Sequence, residues 1–307
     1  MTVLVLSAPG KLNLFLYITG RRPDGYHNLQ TLFQFLDFGD QLTIIRRDSG
    51  IELMSNLDGV EPEDNLIVKA ARLLQQEVGR ELGAKILLNK KLPMGGGLGG
   101  GSSNAATTLL GLNALWELNL TIDRLAMIGL KLGADVPVFV RGHSAFAEGV
   151  GEILTPMDPQ EDWFLVIVPD VRVNTTAMFE HSDLTRDSLP ISVCASLGQR
   201  LEHQRRNDFE PLVRSLYPEV DKTFSLLDNL ADLSIGRAMM SGSGASVFAR
   251  FASREQALAA QTELALSKGA RPEIADDTPK LRSFVARGIN CSPLHTDLQR
   301  AGFVLTA

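Results

Sequence analysis

The chain has 307 residues, 44% of them hydrophobic and 21% charged, the composition of a globular protein long enough for one large or two ordinary domains. A net charge of −6 excludes a general binder of nucleic acid or anionic membrane, but leaves room for one local basic pocket. Two distant cysteines, Cys194 and Cys291, match neither a metal spacing nor a disulfide framework, and no apolar run reaches the ~20 residues of a membrane span, so a cytoplasmic protein is expected.

Met1 to Leu6 is apolar but short, has no basic n-region and is broken by Pro9, Gly10 and Lys11, so it does not read as a signal peptide. Thr2 to Ala8 predicts a strand. Leu12, Leu14, Leu16 and Ile18 alternate with Asn13, Phe15 and Tyr17, which predicts a second. Thr19 to Asn28 is a loop by composition. Leu29 to Leu36, Gln41 to Arg46 and an edge segment Ile51 to Met54 predict further strands. Asp64 to Val78 predicts a helix with one apolar face. Ala84 to Asn89 reads as a strand, Ser102 to Glu117 and Thr121 to Leu132 as helices, with a break at Gly133 to Pro137 and extended chain from Ser144 to Glu152.

Composition shifts to Pro, Asp, Gln and Glu from Pro156 to Glu161, which divides the chain into 1–157 and 158–307. Beyond it, Trp163 to Val168 predicts a strand and Val171 to Asp187 an irregular segment. Helices are expected at Ile191 to Gln204, Phe209 to Leu216, Pro218 to Leu230 and Ser253 to Ser267. Ala238 to Ala249 reads as strand, glycine turn, strand, and Ser283 to Ala286 as a last strand. The pattern is α+β, with mixed or antiparallel sheets packed with helices, and lacks regular βαβ alternation.

The densest local signal is Leu92-Pro-Met-Gly-Gly-Gly-Leu-Gly-Gly-Gly-Ser-Ser-Asn-Ala-Ala106, where six of the nine residues from Gly95 to Ser103 are glycine. Glycine offers backbone without side chains, so a ligand can approach the N–H groups closely. Ser102, Ser103 and Asn104 are favourable helix caps, and a helix N-terminus favours an anion. Strand, glycine loop, helix reads as a phosphate cradle; a flexible linker is the alternative. The P-loop pattern fails for want of a lysine after the glycines. Gly95, Gly97 and Gly100 fit the dinucleotide pattern, but the acid expected about 20 residues on is absent: Glu117 falls in a helical stretch instead.

Four other features invite either an ordinary or a chemical reading. Lys11 follows a Pro-Gly turn and reads as a surface lysine or as a catalytic cation. Asp135 reads as a helix cap before Pro137 or as a general base. Tyr26-His27 sits in a polar loop, and Ser241 to Ser246 makes a glycine turn. Phosphoryl transfer needs a triphosphate cradle, a group to deprotonate or orient the attacking hydroxyl, and cations to spread charge. The glycine loop, Asp135 and Lys11 can supply these, although spacing alone does not bring Lys11 to Asp135.

The glycine segment resembles the phosphate loop of the GHMP kinases, the galactokinase, homoserine kinase and mevalonate kinase superfamily. Ala8-Pro-Gly-Lys-Leu-Asn-Leu14, Arg22-Pro-Asp-Gly-Tyr-His-Asn-Leu29, Gly133-Ala-Asp-Val-Pro-Val-Phe139, Ser241-Gly-Ser-Gly-Ala245 and Phe284 to His295 are similar, in order, to the branch acting on a cytidylyl methylerythritol. The resemblance implies a two-domain GHMP kinase fold with its active site in the cleft between domains, 1–157 binding ATP and 158–307 lying on the substrate side. It implies ATP-dependent phosphorylation of the 2-hydroxyl of 4-diphosphocytidyl-2-C-methyl-D-erythritol in non-mevalonate isoprenoid synthesis, with Mg²⁺ screening the triphosphate. Lys11 and Asp135 match the catalytic pair. Pro93, Met94, Gly95, Gly96, Gly97, Leu98, Gly99, Gly100, Gly101, Ser102 and Ser103 would hold ATP. Asn13 would hold the methylerythritol, Tyr26 would stack on cytosine, His27 would bond its polar edge, and Phe179 would close its other face. A small-molecule substrate, no protein metal ligands, and a monomer or weak homodimer are expected. The tail from Asp297 to Ala307 exceeds the resemblance and is expected to be disordered or a surface helix.

Overall fold

The computed structural model describes residues 2–55, 61–193, 205–267, 282–304 and 306. Its frame is a long antiparallel pair, β1 (Val3–Arg21) and β2 (His27–Arg47), paired from Val3 opposite Ile45 to Arg21 opposite His27. The sequence predicts a strand on each side of Pro9-Gly10 and of Asp37 to Asp40, yet the chain runs through both breaks. They face each other and are absorbed in one register shift, between the Pro9–Gly39 and Lys11–Phe35 pairs, where an irregular strand re-aims its side chains. A Cβ on Gly39 would lie 2.2 Å from the Ala8 carbonyl oxygen, so only glycine allows the two strands this approach. The loop expected from Thr19 to Asn28 contracts to a turn over residues 22–26.

Every β1 residue from Ala8 to Ile18 is buried, because both faces of the strand are covered. That coverage takes Lys11 and Asn13 inside. The described strands form one ten-stranded sheet. Its path is β3 (Ile51–Ser55), β4 (Gly83–Asn89), β2, β10 (Arg282–Ile289), β7 (Trp163–Val168), β9 (Val247–Phe251) and β8 (Met239–Met240). The hairpin of β5 (Ala145–Glu148) and β6 (Ile153–Pro156) attaches to β2. β10 pairs with β2 at Gly288 and Ile289 and with β7 along the rest, and so joins the two halves of the chain.

Helix α1 (Leu66–Val78) starts where the Asn65 side chain accepts from the Ile67 N–H, and ends at left-handed Gly79. Helix α2 (Gly100–Leu115) is buried from Ser103 to Leu115 and serves as the central helix of the first core. Its N-cap is Gly99, not the Ser102 to Asn104 run. Left-handed Gly99 admits the chain to the helix two glycines early, and no side chain caps it. α3 (Ile122–Leu130) follows, capped by Thr121. The expected break at Gly133 to Pro137 leads into α4 (Val136–Arg141), whose first turn accepts Pro137 because that N–H has no helical partner anyway.

In the second half, α5 (Thr175–Glu180) lies in the segment read as irregular, and α6 (Glu210–Leu216), α7 (Pro218–Asp228) and α8 (Arg254–Ser267) follow. Most of the helix expected at Ile191 to Gln204, with Cys194, lies outside the described residues; Cys291 is free and exposed.

One apolar core packs α1 to α4 on the outer part of the sheet, and a second packs α5 to α8 on β7 and β9. A third, around Leu12, Phe15, Leu92, Leu98 and Phe164, fills the space between. Of the two forms expected for the tail, disorder or a surface helix, its start takes the helix. Residues 293–300 form α9 (Pro293–Arg300), whose Leu294 and Leu298 are buried in the first core. The Ser7 N–H donates to the Asp297 carboxylate at 2.8 Å, and the Ile122 N–H to the Thr306 carbonyl at 2.9 Å. Two leucines four residues apart behind a Ser292 cap make an amphipathic helix, which the first core accepts. No helix among the described residues is long and apolar enough to cross a membrane.

Candidate active site

The glycine loop is pinned at both ends by leucines. Leu92 and Leu98 are buried in the third core, and the Asp40 carboxylate accepts from the N–H groups of Lys91 and Leu92 at 2.7 and 2.8 Å. Between them the carbonyls are drawn inward. Gly96 O accepts from Ser246 N–H at 3.2 Å, Gly97 O from the Ser241 hydroxyl at 2.9 Å, and Leu98 O from Lys11 N–H at 3.0 Å. A Cβ on Gly97 would meet the Ser241 carbonyl at 2.1 Å, so the serine-glycine turn after β8 and the phosphate-type loop meet backbone to backbone, with the Ser241 hydroxyl bridging them. Among the described residues, the N–H groups from Gly95 to Ser102 have no protein acceptor. They and the bare N-terminus of α2 form a cluster of donors with positive dipole character. Ser103 Oγ, fully buried in the same turn, has no hydrogen-bond partner among the described residues.

Lys11 lies under this loop with its side chain 3% exposed. Its ammonium faces three acceptors: Asn13 Oδ1 at 2.5 Å, Gly97 O at 3.0 Å and Asp135 Oδ2 at 3.3 Å. Three protons meet three acceptors, which offsets the cost of burying the charge. The order of the Asn13 amide follows from its neighbours. Thr31 donates its hydroxyl proton to Phe15 O and accepts from Asn13 Nδ2 at 2.9 Å, which leaves Asn13 Oδ1 to Lys11. Asp135 is the N-cap residue of α4 but makes no side-chain capping bond, so its carboxylate, 34% exposed, is free to face the cleft. Lys11 and Asp135, 124 positions apart in the chain, are thus one ion pair.

A cleft of about 360 Å³ opens over this pair, lined by Lys11, Asn13, Thr31 and Asp135, by the loop glycines and by Phe179. A second cavity of similar volume lies on the other face of the loop, lined by Pro93 to Ser102 and by Asp64, Asn65, Leu66 and Lys90. Gly95, Gly97, Gly99 and Ser102 are common to both linings. Sequence reasoning missed Lys90, Asp40 and Asn65. Lys90 donates to Asp40 at 2.8 Å, and burial pushes its pKa down against the pull of that carboxylate. A lysine just upstream of a glycine run and an Asn cap at a helix start were the available signals.

The expected base-binding residues are distributed unequally. His27 is 7% exposed and stacks on Phe179, ring centroids 5.0 Å apart, and Phe179 makes an edge contact with Phe209. Arg186 Nε donates to His27 Nε2 at 3.0 Å. Burial, then the Arg186 and Arg21 charges, lower the His27 pKa and keep the ring neutral. Tyr26 is 65% exposed at the tip of the β1–β2 turn, while Phe179 already has His27 against one face.

Models of the GHMP kinase N-terminal domain and C-terminal domain match residues 65–143 and 193–270. The chain is 52% identical over 297 residues to a 4-diphosphocytidyl-2-C-methyl-D-erythritol kinase of Pseudomonas savastanoi pv. phaseolicola, covering 96% of both proteins. It is 49% identical to the enzyme of that name from Marinobacter nauticus, over 97% of this chain and 98% of that one. The chain belongs to the 4-diphosphocytidyl-2-C-methyl-D-erythritol kinase family. It is similar to a crystal structure of such a kinase, with a TM-score of 0.76, 31% identity, and coverage of 93% of this chain and 99% of that one. A mevalonate kinase structure at 16% identity and TM-score 0.65 shares the fold. As a member of this family, the chain is a small-molecule kinase with the two-part GHMP kinase fold.

Proposed function

We propose that this kinase transfers the γ-phosphoryl group of ATP to the 2-hydroxyl of 4-diphosphocytidyl-2-C-methyl-D-erythritol, giving the 2-phosphate and ADP in the non-mevalonate route to isoprenoid precursors. The observation that carries the reading is the Lys11–Asp135 pair, 3.3 Å apart under the glycine loop and beside the His27–Phe179 stack. In this reading residues 1–157 bind ATP and 158–307 form the substrate side, with α9 returning to the first core.

Asp135 accepts the hydroxyl proton as the oxygen attacks the γ-phosphorus, and Lys11 stabilises the developing alkoxide. Asn13 orients the methylerythritol, and Tyr26 covers one face of the cytosine with His27 and Phe179 at its other borders. The loop N–H groups and the α2 N-terminus bear the phosphates, and Lys90 adds a cation at the ATP cavity wall. Ser103, named with the loop as an ATP contact, is fully buried and lines neither cavity, so in this reading Ser102 is the loop serine that meets the phosphates. Among the described residues no three His, Cys, Asp or Glu side chains gather to hold an ion, so Mg²⁺ would ride largely on the triphosphate and supply charge neutralisation there.

An ADP-release assay tests the reading: turnover is expected with the cytidylyl substrate and not with mevalonate or homoserine, and the reverse pattern would overturn it. Asp135→Asn is expected to lower kcat by about 10²–10⁴-fold, with ATP affinity by calorimetry preserved. Unchanged kcat would remove the general-base role.

A further inference from the structure

Arg186 belongs to none of the motifs, yet each of its nitrogens is engaged. Nε donates to His27 Nε2 at 3.0 Å, Nη1 to Leu184 O at 3.0 Å, and Nη2 to both Phe179 O and His181 O at 2.7 Å. One planar guanidinium therefore ties the end of α5, the turn after it and the first residue of β2 to a single rigid fork. A guanidinium has no acceptor, so the imidazole nitrogen facing it must be the unprotonated one. In a neutral ring the proton then sits on Nδ1. The same fork holds the Phe179 backbone while the Phe179 ring lies on the His27 ring at an interplanar angle of 21°.

We infer that Arg186 is the positioning residue of the base subsite: by fixing the His27 tautomer and seating Phe179 against it, it sets a preference for cytosine over uracil. The inference rests on the proposed reading of His27 as a contact to the base edge. O2 accepts a hydrogen bond in either base, so the discrimination lies at N3, which in cytosine is an acceptor and suits an Nδ1–H donor. Uracil presents N3–H, which opposes it. Free rotation of the tautomer would let His27 serve either base, so the discrimination depends on the partner that forbids the other tautomer. Lysine at position 186 could still donate to Nε2 but could not also reach the carbonyls as a planar fork.

Three measurements on the full-length protein test this. Nitrogen-15 NMR of the imidazoles is expected to show His27 protonated at Nδ1, with the tautomers mixing in Arg186→Met. A proton on Nε2 in the parent protein would overturn the inference. Calorimetric titration with cytidine diphosphate and uridine diphosphate, which needs no turnover, is expected to favour the cytidine form. Arg186→Met should narrow that preference by about tenfold, the scale of one lost charge-assisted hydrogen bond, and Arg186→Lys should recover part of it. In steady state, Arg186→Met should raise KM for the cytidylyl substrate and leave KM for ATP and kcat close to the parent values. Unchanged discrimination in Arg186→Met, with the parent preferring cytidine, would overturn the role. Preserved cytidine preference with no cytidylyl kinase activity would instead sink the proposed function and leave Arg186 as the base-selecting residue.

Discussion

At the scale of single residues the candidate active cleft is governed by hydrogen-bond arithmetic. Lys11 satisfies three acceptors, and removing its ammonium leaves Asn13 Oδ1 and Gly97 O without that donor and Asp135 without its counter-ion. Lys11→Met is therefore expected both to abolish measurable turnover and to lower stability by about 1–3 kcal/mol, read by urea denaturation. Two histidines give the fold a pH dependence. Burial lowers the pKa of His27, and burial, partly countered by its bond to the Val140 carbonyl, lowers that of His295. Both rings hold fewer protons folded than unfolded. Stability is then complete above the ordinary histidine value of about 6.5 and falls as pH drops through the lower folded values. A thermal scan between pH 8 and pH 5 should show Tm falling on the acid side. His295→Gln, which can still donate to Val140, should flatten part of that fall; a Tm that rises on acidification would contradict the assignment.

At the scale of elements the glycine loop works because its neighbours come too close for side chains. Gly97 has φ +72° and would place a Cβ 2.1 Å from Ser241 O, whereas a Cβ on Gly101 would meet only the end of Leu66 at 3.3 Å. Gly97→Ala is expected to cost at least about 1–3 kcal/mol and to raise KM for ATP, as the loop shifts off the Ser241 turn. Gly101→Ala should be close to neutral in stability, so paired melting curves distinguish a backbone requirement from a general preference for glycine. The glycine requirement was legible in the run itself. The partner that enforces it at Gly97, a turn 144 residues away, was not.

At the scale of the molecule, the chain closes on itself. α9 docks on β1 and returns the C-terminus to the first core, so the tail takes the surface-helix form of its two expected forms and is anchored there. Leu298 is fully buried there, so Leu298→Ala should cost about 2–5 kcal/mol in urea unfolding. A loss below half a unit would mean that the helix is dispensable. The sheet is continuous across the composition shift at Pro156 to Glu161, because β10 pairs with both β2 and β7. Charge also redistributes at this scale: the net is −6, yet buried Lys11 and half-buried Lys90 line the two cavities that meet at the loop.

The local chemistry was written in the chain order: apolar alternation for β1 and β2, a glycine run between strand and helix, turn residues around Tyr26 and Ser241. Such signals depend on backbone propensity and near neighbours, so sequence expresses them directly. The register shift that fuses the first four predicted strands into two, the start of α2 at Gly100, and the seating of α9 depend on distant partners at Gly39, Lys11 and Ser7. The site is of this second kind. Lys11 and Asp135 were legible as candidates, but their ion pair exists only because β1 is covered on both faces and α4 begins beside it. Arg186 carried no sequence signal at all, since an arginine in a polar segment looks the same whether it points to water or, as here, holds His27 and Phe179 in one fork.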